Sequence, residues 1–162
     1  CLNCNHILIY CDDVIFDFHG ESFKKGVEII FLRPDPLPQD LPIDASKIRV
    51  VLQNLIENGI KYSKSAHSVI VAIADQEAFI RVSVKDQGIG IPLAEQPKIF
   101  EKLYRATNAK QSEEIGSGLG LYTTKMIVEA HGGKLWFESQ ENEGTTFFFT
   151  IPKTQPAPEA AK

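Results

Sequence analysis

Glycine in this chain gathers into two tight clusters, Asp86-Gln87-Gly88-Ile89-Gly90 and Gly116-Ser117-Gly118-Leu119-Gly120-Leu121. Both follow a helix-forming run, Asn54-Leu55-Ile56-Glu57-Asn58-Gly59-Ile60-Lys61-Tyr62. Glycine at that density cannot continue a helix or a strand, so each cluster must be a connection between elements. One cluster alone marks no more than a turn. Two, in this order behind an asparagine-bearing helix, demand a fold that brings loops against a helix face.

The elements around the clusters follow from periodicity. Apolar residues from Ile7 to Phe18 fall at three-four spacing and predict an entering helix. Val27 to Leu32 reads as a short strand, and Pro34, Pro36, Pro38 and Pro42 then forbid regular structure until Asp44, a helix cap. The helix it opens should run to about Ser63. Ser68–Ala74 and Phe79–Lys85 alternate and form a hairpin that delivers Asp86 to its end. A short helix is expected around Lys98–Arg105, a polar loop over Thr107–Ser117, and a helix over Leu119–Ala130 closed by Gly132-Gly133. Lys134–Ser139 and Thr145–Ile151 complete the strands. This order predicts an α/β two-layer sandwich, one mixed β-sheet covered on one face by helices.

With 162 residues, 43% of them hydrophobic and 23% charged, the chain suits one globular domain. A formal charge of −4 gives no basic field for nucleic acid, and no apolar run is long enough to cross a bilayer. Cys1, Cys4 and Cys11, with His6 and His19 nearby, admit a metal reading, but reduced free thiols fit a cytoplasmic protein better. The chain begins without methionine and reads as a piece of something longer.

At 100° per residue, Asn54, Asn58, Lys61 and Tyr62 share about a quarter of the helix circumference, while Ile48, Leu52, Leu55, Ile56 and Ile60 occupy another arc. Amide oxygens suit a hard cation, lysine offers a point charge to phosphate, and a tyrosine ring packs on a base. A solvated helix edge is the plain alternative. Asp86 is either a turn former or a carboxylate aimed above the sheet edge. The second cluster is either a hinge or a helix start whose free N–H groups receive phosphate.

Taken together, these segments resemble the ATP-binding catalytic domain of sensor histidine kinases, within the gyrase, Hsp90, histidine kinase and MutL ATPase group. The resemblance covers roughly residues 20–152, with 1–19 as an entering helix from a missing upstream acceptor domain and 153–162 as a disordered tail. It implies a Bergerat-type fold and Mg²⁺ held by Asn58, with Asn54, Lys61 and Arg105 at the phosphates. It further implies ATP contacts by Tyr62, Asp86, Gly88, Gly90, Ile91, Phe100, Tyr104, Gly116, Gly118, Leu119, Gly120, Leu121 and Thr145, with Asp86 reading the adenine amino group. Phe100 and Tyr104 at helical spacing are more often core than ligand contacts, and Gly144-Thr145-Thr146-Phe147 is equally explained as a hairpin turn.

The implied activity is transfer of the γ-phosphoryl of ATP to a histidine. His6, His19, His67 and His131 all lack an acceptor context, and His131 ends a helix where its charge would suit the dipole. The acceptor is therefore expected on a separate dimerisation domain, with a response regulator downstream and the isolated chain monomeric. Alternatives are a nucleotide-gated interaction module and an anti-sigma-factor-type serine kinase. Asn54 stands where the ATPase branches carry a general-base glutamate, and Glu57 is expected to face away from the phosphates.

Overall fold

Strand alternation sorts the sheet into a dry face and a wet one. In a computed structural model of the chain, which describes residues 7–34, 41, 43–112 and 116–154, the strands are β1 (Glu28–Leu32), β2 (Ser68–Asp75), β3 (Phe79–Lys85), β4 (Leu135–Gln140) and β5 (Gly144–Pro152). They form one sheet in the order β1-β2-β3-β5-β4, with β1 parallel to β2 and the other pairs antiparallel. Val69, Val71, Ile73, Ile80, Val82, Val84, Phe147, Phe149 and Ile151 are buried on one side. On the other side Trp136 stacks on Phe148, with centroids 5.2 Å apart.

The dry face is covered by α1 (Ile7–Lys25), α2 (Ala45–Tyr62) and α4 (Gly120–Ala130). Asp44 caps α2, its side chain accepting from the backbone N–H groups of Ser46 and Lys47. The apolar arc of α2, from Ile48 to Ile60, is buried. At Gly59 a side chain would meet Val69 at 3.0 Å, so glycine lets α2 lie close on β2. The two-layer architecture thus matches the expectation from the pattern of elements.

Three local expectations need correction. The entering helix does not stop near Phe18 but continues to Lys25, with Ser22 buried and its Oγ donating to His19 O at 3.1 Å, and Gly26 at φ +69 ends it. A 3₁₀ helix, Leu93–Lys98, ends where an α-helix was expected to start. Leu103, at φ +64, then breaks any helix over Lys98–Arg105, and its N–H donates to Gly118 O at 3.0 Å. Finally, Thr107–Gln111, expected as loop, is a short helix, α3. Its cap comes from afar: the Glu95 carboxylate accepts from Thr107 N at 2.9 Å and from Thr107 Oγ1 at 3.2 Å.

The Cys1, Cys4 and His6 cluster, Pro36, Pro38, Pro42, Ile115 and the tail beyond residue 154 lie outside the described residues. Cys11 is fully buried, and burial pushes its thiol up to about 12, so it packs as a small apolar side chain. Among the described residues no three His, Cys, Asp or Glu side chains gather as a metal site.

Candidate functional site

Asp86 follows the last residue of β3 and is only 7% exposed. Its backbone N–H donates to Thr145 O at 2.8 Å. In return, Oδ1 accepts from Gly88 N at 2.8 Å and from Thr145 N at 3.1 Å. Both bonds fall on one oxygen, and among the described residues Oδ2 has no partner. Burial pushes the carboxyl up to about 6, against the lowering effect of the two N–H donors.

Asp86 lines a cavity of about 340 Å³ between α2, the two glycine clusters and α3. Asn54, Asn58, Lys61 and Tyr62 line it from α2, as their shared arc predicts. Gly90 and Ile91 line it from the first cluster; Gly116, Gly118, Leu119, Gly120 and Leu121 from the second; Thr145 from β5; and Tyr104 and Arg105 from the intervening turn. Ile91, Ile99 and Phe147 add apolar surface to the lining. Two cations converge beside the second cluster: a side chain at Gly116 would lie 3.2 Å from Lys61 Nζ and 3.7 Å from Arg105 Nε. The cavity lining therefore combines a buried carboxylate that can accept a hydrogen bond with two cations.

Two expected wall residues are elsewhere. Phe100 packs edge-on against Phe137 at 5.7 Å and is core, because the broken helix turns it toward β4. Gly88 is buried behind Asp86, where a side chain would strike Tyr62 O at 2.7 Å; its N–H supports the carboxylate. Conversely, Glu57 does line the cavity, against expectation. It stands four residues before Lys61, about 40° away on an ideal helix, so the rule that groups the asparagines also brings Glu57 to the rim.

Asn54 is engaged structurally, since Nδ2 donates to Gly120 O at 3.2 Å and to Thr124 Oγ1 at 3.3 Å. It ties α2 to α4 and, as an amide, takes no proton. Glu95, which the sequence did not single out, accepts from Tyr104 OH at 2.6 Å as well as from Thr107. Tyr104 is thereby raised to about 12, with the Glu95 hydrogen bond as main cause, and Glu95 is lowered by the same bond. Asn108 on α3 donates to Gly90 O at 3.0 Å, and Arg105 donates to Ala109 O at 2.6 Å. These contacts hold α3 over the cavity mouth.

Residues 43–155 match the family model described as histidine kinase-, DNA gyrase B-, and HSP90-like ATPase. The chain is 41% identical over 143 residues to the sensor histidine kinase WalK of Bacillus subtilis (strain 168), covering 86% of this chain and 23% of that protein. It is 41% identical over 144 residues to the adaptive-response sensory kinase SasA of Prochlorococcus marinus, covering 86% of this chain and 36% of that protein. The catalytic domain of the histidine kinase ThkA matches with a TM-score of 0.77 at 30% identity, over 91% of this chain and 95% of that one. Full-length ShkA in complex with AMPPNP matches with a TM-score of 0.80 at 27% identity, over 96% of this chain and 32% of that one. The chain thus spans about a quarter to a third of those two curated relatives and nearly all of an isolated catalytic domain. The chain belongs to the family of histidine kinase-, DNA gyrase B- and HSP90-like ATPases.

Proposed function

We propose that this chain is the ATP-binding catalytic domain of a sensor histidine kinase, which donates the γ-phosphoryl of Mg-ATP to a histidine on a separate dimerisation domain. The observation that carries the reading is that one cavity joins Asp86, whose Oδ2 has no partner among the described residues, with Lys61 and Arg105 beside Gly116. Oδ2 accepts from the adenine amino group, a donor that guanine lacks at that position. Lys61, Arg105 and the N–H groups at the start of α4 receive the phosphates. Positioning and charge neutralisation are what phosphoryl transfer requires of a protein.

The metal fits one amide better than a cage. Mg²⁺ keeps several waters and takes most other ligands from substrate phosphates. Asn58 supplies a hard oxygen on the cavity wall, and no carboxylate cluster competes among the described residues. When bound, the ion neutralises charge on the phosphate oxygens. Asn54 holds α4 in place and, as an amide, takes no proton from water, whereas Glu57 at the rim is a carboxylate that could, so slow hydrolysis requires Glu57 to stay out of reach of the γ-phosphate.

Relatives that are sensor histidine kinases favour this reading over a nucleotide-gated module or an anti-sigma-type serine kinase. A response regulator is the proposed downstream partner, supported by the structure of ThkA with the response regulator protein TrrA. Residues 20–152 are the span proposed to bind nucleotide, α1 packing on it as the entering segment. No helix among the described residues is long and apolar enough to cross a membrane, and a cytoplasmic place with access to ATP follows from the proposed activity.

Calorimetric titration with a non-hydrolysable ATP analogue tests the site. Binding should require Mg²⁺ and weaken sharply in Asp86→Asn and Asn58→Ala. If both variants stay folded and bind like the parent, the assignment is wrong.

A further inference from the structure

Nothing in the proposed transfer uses His131, yet its ring joins two helices. It is the C-cap residue of α4. Nδ1 lies 2.8 Å from Ile127 O, and Nε2 lies 3.1 Å from the backbone N of Asp44. A backbone N–H only donates and a carbonyl only accepts, so Nε2 must be bare and Nδ1 must carry the hydrogen. A single neutral tautomer satisfies both contacts. This replaces the expectation of a charged histidine completing the α4 dipole. Asp44 is the residue from which α2 starts, so the contact reaches the root of that helix.

The same helices are tied a second time at the opposite end of α4, where Asn54 donates to Gly120 O and Thr124 Oγ1. From Gly120 to His131 α4 rises about 16 Å, with Thr124 about one turn in from the Asn54 end. Two ties so far apart fix the angle between α2 and α4 as well as their separation. With one tie the helix can pivot. α2 carries Asn58 and Lys61 to the cavity, and α4 carries Gly120 and Leu121.

We infer that His131 is a positioning residue: held as its Nδ1–H tautomer between Ile127 and Asp44, it sets the gap between α2 and α4 across which nucleotide is gripped. The inference rests on the nucleotide reading of the cavity. Gln and Asn separate the two contacts, since a Gln side chain places its carbonyl near the position of Nε2 and an Asn amide reaches only that of Nδ1. Each variant forfeits one hydrogen bond, so a purely structural role would weaken both alike.

The test combines long-range ¹H–¹⁵N spectra of the imidazole, exchange of the Asp44 amide, and titration with the non-hydrolysable ATP analogue. The parent should show the Nδ1–H tautomer and a protected Asp44 amide. His131→Gln should keep that protection and bind within about twofold of the parent, while His131→Asn and His131→Phe should lose it and bind about three- to tenfold more weakly. Equal weakening in the Gln and Asn variants, parental binding by a folded Phe variant, or an Nε2–H tautomer overturns the inference. Should the Phe variant not fold, the Gln and Asn pair decides alone. A parent that binds no nucleotide refutes the proposed function instead, and protection of the Asp44 amide then decides whether the tie exists.

Discussion

Replacing Asp86 by Asn should make the empty domain more stable while it loses nucleotide. Burial raises the Asp86 carboxyl from its ordinary 3.8 to about 6. A raised folded-state value means that the stability present below 3.8 is lost as pH rises through about 6. A shift of roughly two units corresponds to about 3 kcal/mol lost above neutral pH, and to about 1 kcal/mol near pH 4.5. Asn is neutral at every pH, and its carbonyl can still accept from Gly88 N and Thr145 N. Urea unfolding of parent and Asp86→Asn, without nucleotide, should therefore show the variant ahead by about 1–3 kcal/mol near pH 8, the gap narrowing near pH 4.5. A variant that is less stable than the parent near pH 8, by an amount that does not change with pH, would mean that the two N–H donors outweigh desolvation and that the argument is wrong.

Gly90→Ala should destabilise the domain by about 2 kcal/mol or more in thermal unfolding, since φ is +62 and a side chain would lie 2.0 Å from Gln140 O; parental stability would show that the loop relaxes freely. Exchange of the Thr107–Gln111 amides should slow when the ATP analogue binds, and Glu95→Ala should speed it in the empty protein by removing the cap on Thr107; no difference in either case would show that neither the nucleotide nor the Glu95 bond steadies α3. Asn54→Glu should lower stability before it raises hydrolysis, because it forfeits the donors to Gly120 and Thr124; phosphate release that rises at unchanged stability would contradict this. Radiolabelled ATP should leave no acid-labile phosphate on the isolated chain, and addition of a cognate histidine hairpin should permit transfer; labelling of His19, His67 or His131 would refute the acceptor argument.

What was legible in the sequence was what periodicity encodes. The arc of α2, the alternation of β2, β3 and β5, and the position of Asp86 at a strand end are all local patterns, and they fixed most of the cavity wall. What was missed depends on contacts between distant residues. The cap of α3 comes from Glu95, 12 positions earlier, so a propensity reading of Thr107–Gln111 sees only a polar stretch. Leu103 adopts a left-handed conformation pinned to Gly118 O, which no pattern around a leucine announces. Phe100 followed from the resemblance to the family, and its ring instead packs edge-on against Phe137, the core alternative that its spacing offered. Glu57 was different, since ideal helix geometry already placed it beside Lys61.

The reciprocal hydrogen bonds between Asp86 and Thr145 span 59 positions of sequence. They make the carboxylate competent only after β5 has docked beside β3, and β5 ends at Pro152. A nascent chain that has left the ribosome as far as α4 already holds the asparagines, Lys61 and both glycine clusters, yet Asp86 Oδ1 still lacks one of its two donors. Under the proposed function, nucleotide capture then waits for β5, and a product truncated before Thr145 should bind the ATP analogue more weakly than the parent.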